Sequence, residues 1–202
     1  MKLALQHLRQ TYLDKVPNFD QVFDEVSKTI IEQIDALSRI ATEFSHFARM
    51  PNPRLEVCDA NAILTESIHL FEKEVGVRFE LDLQQGIDPV KADREELRRA
   101  FINIIRNGMQ AMNGVGHMTI TTRQQGRMVA IRIRDYGPGI PEEIKARLFQ
   151  PNFSTKTDGM GLGLAIVKKT IDDLNGTITI ESIHGDGTTV TIVLPAVQGD
   201  VA

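Results

Sequence analysis

The chain has 202 residues, 42% of them hydrophobic and 25% charged, which describes an ordinary globular composition and a length for one or two domains. A net charge of -4, without any dense Lys/Arg cluster, gives no electrostatic case for nucleic acid or an anionic membrane surface. The single cysteine, Cys58, excludes an internal disulfide framework and a thiolate metal site, and no apolar run approaches the ~18 residues of a membrane span.

Leu3, Leu5, Leu8 and Tyr12 suggest a short first helix, broken at Pro17-Asn18. Residues 19–50 contain neither Gly nor Pro. Apolar side chains recur there in steps of three and four, at Phe19, Val22, Val26, Ile30, Ile34, Leu37, Ile40, Phe44 and Phe47, a helical stripe roughly 45 Å long at 1.5 Å per residue. Two such helices cannot enclose their own apolar faces. Pairing with a second copy, as a homodimeric four-helix bundle through residues 1–50, would bury them; the alternative is a hairpin packed on the rest of the chain. Pro51-Asn52-Pro53 ends the long helix and sets the expected organisation: a helical hairpin over 1–50, a linker over 51–57, a second domain over 58–197 and a tail over 198–202.

Beyond the linker the periodicity mixes. A helix is expected over 59–74 and a period-two strand over 77–83. A strongly amphipathic helix follows over 93–112, with Asp93 as N-cap and Glu96 as its capping-box partner. Strands at 117–123 and 127–135 alternate around Gln-Gln-Gly as a hairpin. A glycine-rich, irregular stretch fills 137–161, before a helix over 162–174 and strands over 177–182 and 188–194. This order predicts an α+β chain: a helical hairpin, then an α/β sandwich with a mixed sheet and helices on one face.

The glycines carry the first chemical signal. DYGPGI (135–140) puts an aspartate at a strand end, directly before Gly-Pro-Gly. DGMGLGLAIVKK (158–169) puts Gly159, Gly161 and Gly163 just before a helix, where free N–H groups and the helix dipole favour phosphate. No G-x-x-x-x-G-K-[ST] loop is present, and the glycines come too late for a dinucleotide fingerprint. Asn103 and Asn107, four apart on the 93–112 helix, can meet one ligand. An amide oxygen suits Mg²⁺, and the apolar neighbours Leu97, Ala100, Phe101, Ile104 and Ile105 argue that at least one of the two is partly buried.

In order, these elements read N-x-x-x-N, D-x-G-x-G, F-x-x-x-F at Phe149 and Phe153, G-x-G-x-G, and G-x-G-T at 185–188. The series resembles the Bergerat-type ATP-binding domain shared by sensor histidine kinases, gyrase, Hsp90 and MutL-type ATPases, over about 58–195. The full set looks like the histidine-kinase branch, where the elements are the N, G1, F, G2 and G3 boxes. LFQPNFSTKTDGMGLGLAIVKK and NGMQAM look most like the nitrogen-regulation type. The resemblance implies that Asp135 reads the adenine amino group, with Thr188 helping through a water. Gly137 and Gly139, with Ile140, turn beneath the base. Asn107 becomes the Mg²⁺ ligand and Asn103 stands near the phosphates. Thr155 and Lys156 contact phosphate oxygens from a lid at about 141–160, while Gly159, Met160, Gly161, Leu162, Gly163 and Leu164 cradle the triphosphate. Gly108 stands where alanine is usual, and Met160 where threonine is common.

The related ATPases carry a glutamate general base where this chain has Asn103, an amide that takes no proton, so phosphoryl transfer to a better nucleophile is favoured over hydrolysis. The kinases' acceptor lies in an H-[DE]-x-x-[NT]-P motif. None of the five histidines fits it: His7 is followed by Leu8-Arg9-Gln10, His46 by Phe47, and His69, His117 and His184 lie in the second domain. In nitrogen-type kinases a stretch like MKLALQHLR follows the acceptor, which gives the expectation that the chain starts just past it and has lost autophosphorylation. The implied partner is the receiver domain of a response regulator. The implied location is cytoplasmic, with a parent protein anchored in the inner membrane. A nucleotide-binding dimerisation module without activity and a gyrase/Hsp90-kind ATPase are the alternatives.

Overall fold

The computed structural model describes residues 2–14, 17–49, 53–71, 76–154 and 161–197, which divide into two compact units. The first is a helical hairpin of α1 (Lys2–Leu13) and α2 (Phe19–Arg49). Its turn is closed by aromatic contact, with the Tyr12 and Phe19 rings 5.6 Å apart and Phe19 followed by Phe23 at 6.0 Å. Leu3, Leu5, Tyr12, Phe23, Ile31, Ile34 and Leu37 remain exposed, so a good part of the apolar stripe is uncovered within the hairpin. No described helix is long and apolar enough to cross a membrane.

The second unit is built on a five-stranded sheet in the order β2-β4-β5-β7-β6. Its strands are β2 (Val77–Leu83), β4 (Gly116–Gln125), β5 (Met128–Asp135), β6 (Thr177–Ile183) and β7 (Gly187–Pro195). β2 and β4 run parallel, and the other pairings are antiparallel. A parallel pair needs a long crossover, and here it carries α4 (Arg94–Ala111). A small antiparallel ribbon, β1 (Glu56–Cys58) with β3 (Val90–Ala92), lies outside this sheet. Helices α3 (Ala60–His69), α4 and α6 (Gly163–Asp173) cover one face of the sheet.

Strand alternation decides which face is dry. Met118, Ile120, Ile131, Ile133, Ile192 and Leu194 are at most 2% exposed, and they meet Leu97, Phe101, Ile104 and Ile105 of α4 and Val167 and Ile171 of α6 in one core. The opposite face is a polar surface of Thr119, Thr121, Arg132, Arg134, Thr189 and Thr191. Asp93 caps α4 by accepting from the N–H groups of Glu95 (3.1 Å) and Glu96 (3.2 Å), and Asp59 caps α3 in the same manner.

Three expectations need correction. The helix expected over 59–74 ends at His69, where the Phe71 N–H closes on the Ile68 carbonyl at 2.8 Å and turns Phe71 into the core at 5% exposure. Glu56 and Val57, assigned to a linker, pair with β3. The stretch 137–161, expected to be irregular, contains a one-turn helix, α5 (Glu142–Lys145). The expected tail over 198–202 lies outside the described residues.

Phe101 is fully buried between α4 and the sheet. Truncation by Phe101→Ala is expected to cost about 3–5 kcal/mol, read as a lower urea midpoint with an unchanged slope.

Candidate functional site

Asp135 is the last residue of β5, paired with Met118 of β4 on one side and Thr188 of β7 on the other. By strand parity its side chain points to the helix-covered face, and it is only 7% exposed. α4 comes down on it at Gly108, where an added methyl carbon would stand 3.1 Å from Asp135 Cβ and 2.6 Å from the Met118 methyl group. The end of the Met118 side chain thus lies against Gly108, where a Cβ would displace it. Burial pushes the Asp135 carboxyl upward, against backbone hydrogen bonds from Gly137 and Thr188 and the charge of Arg134. One carboxylate oxygen accepts the Gly137 N–H at 3.0 Å. A buried acceptor of this kind favours a hydrogen-bond donor brought by a ligand.

The backbone after Asp135 folds tightly against the β6–β7 turn. Gly139 has φ +72°, and a Cβ there would lie 2.2 Å from the Ile183 carbonyl oxygen; only glycine fits both the conformation and the approach. The Gly185 N–H donates to the Pro138 carbonyl at 2.7 Å. The Ile140 N–H donates to Ser182 Oγ at 2.8 Å. Lys145, on α5, donates to the Ser182 carbonyl at 2.6 Å and pairs with Glu142 at 2.5 Å.

A second group of residues gathers at the start of α6. Its N-cap is Leu162, which is buried and makes no side-chain cap hydrogen bond, so among the described residues its first-turn N–H groups have no carboxylate cap of the kind that Asp59 and Asp93 give α3 and α4. An uncapped N-terminus carries partial positive charge and free donors. Asn103 of α4 faces it, with Oδ1 3.4 Å from where a Cβ on Gly163 would stand. Asn103 and Asn107 are both half-buried, as is Leu164. Gly161, at φ +67°, passes so close to Phe153 that a Cβ would sit 2.3 Å from the Phe153 carbonyl oxygen. The Phe153 ring lies under the Arg147 guanidinium at 4.3 Å, and Phe149 packs on the core.

The structure therefore brings together Asp135, Gly137, Gly139, Ile140 and Thr188 as one group, and Asn103, Leu162 and Gly163 as another. Thr155, Lys156, Gly159 and Met160 lie outside the described residues. His7, His69, His117 and His184 are exposed, and His117 stacks on Tyr136 at 3.8 Å; the His46 side chain lies outside the described residues. A cavity of about 230 Å³ lined by Thr121, Arg123, Gln125, Ala130 and Arg132 opens on the opposite, polar face of the sheet, away from both groups. Sequence reading missed Ser182, Lys145 and Met118. A signal for Ser182 was available: Ile178, Ile180 and Ser182 share one strand face, so a hydroxyl stands where the alternation calls for an apolar side chain.

Residues 92–198 match the model of the histidine kinase-, DNA gyrase B-, and HSP90-like ATPases, and the chain belongs to this family, within its sensor-histidine-kinase branch. It is 31% identical over 180 residues to the signal transduction histidine-protein kinase AtoS of Escherichia coli K12, covering 87% of this chain and 30% of AtoS. It is 30% identical over 207 residues to the nitrogen regulation protein NtrY of Azorhizobium caulinodans, covering 97% of this chain and 26% of NtrY. The chain thus spans less than a third of the length of either relative. Among solved structures, the nucleotide-free catalytic domain of the histidine kinase ThkA superposes with a TM-score of 0.65 at 31% identity, over 71% of this chain and 96% of that domain. These likenesses bear out the ATP-binding catalytic domain and the α+β architecture expected from the motif series.

The raised Asp135 carboxyl has a consequence for stability. Its folded-state value lies above the ordinary 3.8, so the native state holds its proton more tightly and ionisation penalises folding above that range. Asp135→Asn should therefore melt higher than the parent at pH 7 without nucleotide. The gap should narrow as pH falls through the folded value and vanish below the ordinary one, as measured by calorimetry across a pH series.

Proposed function

We propose that this chain binds Mg-ATP and delivers the γ-phosphoryl group to a histidine, from which it passes to the aspartate of a response-regulator receiver domain. The observation that carries this reading is the pairing of a buried acceptor, Asp135, with an uncapped helix terminus facing Asn103. The first suits a base with an exocyclic amine, and the second suits phosphates.

In this reading Asp135 accepts from the adenine amino group and Thr188 assists through a water. Gly137, Gly139 and Ile140 form the turn beneath the base. The α6 amides after Gly161, Leu162 and Gly163, with Leu164, hold the triphosphate together with Gly159 and Met160, while Thr155 and Lys156 reach phosphate oxygens. Asn107 offers one amide oxygen, a donor that fits Mg²⁺, which binds chiefly through substrate phosphates and water. When bound, the ion neutralises charge on the phosphates. Asn103 supplies no proton-accepting base, so the site holds the phosphates without activating water, and transfer to an imidazole held in line is the outcome it supports.

No histidine of the chain stands in an H-[DE]-x-x-[NT]-P setting, so the acceptor is one that these five do not supply. The exposed apolar stripe of α1 and α2 is assigned to a homodimer that pairs two hairpins as a four-helix bundle. The parent is read as a sensor kinase that works in the cytoplasm.

Incubation with γ-labelled ATP tests the transfer. Label is expected on an added dimerisation domain that carries the acceptor motif, and none on the chain itself. Acid-labile label on the chain, or ATP hydrolysis that disappears in Asn103→Ala, would overturn the reading. Asn107→Ala should weaken Mg-ATP binding by tenfold or more, at about 1.4 kcal/mol per decade, while leaving metal-free nucleotide binding far less changed, as followed by titration calorimetry.

A further inference from the structure

The recess of about 230 Å³ on the polar face of the sheet is walled by Thr121, Arg123 and Gln125 of β4 and by Ala130 and Arg132 of β5. Register accounts for its shape. Arg123 stands directly opposite Ala130, and Thr121 directly opposite Arg132, so the two arginines lie on a diagonal of the β4–β5 ladder with the small alanine beside both. Alternation sends these side chains outward, away from the face on which Asp135 lies. Ala130 is only 5% exposed, so its methyl group is the floor and the longer polar side chains are the walls.

These walls are rich in donors and poor in acid. Arg123 is held by Asp82: one guanidinium nitrogen meets the Asp82 carboxylate, and another donates to the carbonyls of Asp82 at 2.9 Å and Thr122 at 2.8 Å. Arg134, two residues along the same face of β5, pairs with Asp186 at 3.1 Å. Arg132 has neither an ion pair nor a hydrogen bond among the described residues, and the same holds for the Thr121 hydroxyl and the Gln125 amide. The cross-strand neighbours of Arg132, Thr121 and Thr191, bring no charge. Like charges gathered on one sheet face repel. Arg132 therefore stands between two other guanidiniums without an acid of its own, in a chain whose net charge is -4.

We propose that this recess binds a small oxyanion on a short carbon skeleton, a carboxylate or a phosphate ester. The Arg132 guanidinium holds it, Thr121 and Gln125 add donors, and Arg123, fixed by Asp82, is a rigid positive wall. An arginine fork matches the paired oxygens of carboxylate and phosphate alike, while the Ala130 floor takes the carbon chain and the two guanidiniums repel a cation. The volume equals about seven waters at roughly 30 Å³ each, below the roughly 300–1,000 Å³ of a drug-sized ligand's pocket. The ligand is thus a small metabolite and not a second nucleotide. The inference stands apart from the nucleotide reading, whose residues lie across the sheet.

Amide chemical shifts of the full chain test this, in titrations with malonate and, separately, with glycerol phosphate at an ionic strength held by chloride. Saturable shifts are expected at Thr121, Arg123, Gln125, Ala130 and Arg132. Saturation by malonate alone identifies the ligand as a carboxylate, and by glycerol phosphate alone as a phosphate ester. Arg132→Gln should weaken binding by about fivefold or more, as for the loss of a hydrogen bond to a charged group. Ala130→Val, which fills the floor and keeps every charge, should weaken it comparably, with thermal melts verifying that each variant folds. The same shifts should persist with ATP at saturation, which separates this site from the nucleotide reading. Shifts that stay linear and are matched by chloride, affinities unchanged in both variants, or saturable shifts confined to the start of α6 would overturn the proposal.

Discussion

The antiparallel register of β5 against β7 is the constraint on which the site depends. It sets Asp135 opposite Thr188 and turns both toward the helices. Side chains in a strand alternate between faces, so a slip of one residue would carry Asp135 to the polar side of the sheet and put Arg134 in the core. The slip is opposed by every apolar pair along the same strands, from Ile133 with Val190 to Val129 with Leu194. The energy that fixes a polar site thus comes from hydrophobic side chains several residues away. This division of labour lets a carboxylate be held dry without collapsing the fold around it.

From that fixed point the remaining parts are placed by short-range geometry. β5 runs directly into Gly137 and Gly139, and the approach of Gly139 to Ile183 stitches this loop to the turn after β6. α4 is held by its own apolar face, and Asn103 and Asn107 occupy its half-buried flank. The α6 N-terminus is aimed by Val167 and Ile171, which pin that helix to the core, and its uncapped amides are the natural complement of a polyanion. Neither group of residues needs the other in order to form, but both rest on the same helix, α4.

Much of this was legible in the sequence where independent local signals agreed. The helix expected over 93–112 is observed at Arg94–Ala111 because the apolar spacing, the Asp93 cap and the absence of Gly or Pro in its first four turns point the same way. The helix expected over 162–174 is likewise observed at Gly163–Asp173. The three-residue strands β1 and β3 were not legible, since three residues are too few to display a period of two. α5 hid among glycines and prolines because one turn leaves no periodic trace. Asp135 could be singled out from its motif, whereas Ser182 acquires its role only when β6 lies beside β7, a fact of register and not of local composition.

Gly108 sets how closely α4 can approach the sheet. A Cβ there would stand 2.6 Å from the Met118 methyl group and 3.1 Å from Asp135 Cβ. The methyl group is the far end of a flexible side chain and can swing to another rotamer, whereas the Asp135 Cβ is fixed to its strand. The gap between helix and sheet at this point is therefore gauged against the strand that ends in Asp135, and any residue larger than glycine would have to be fitted into it.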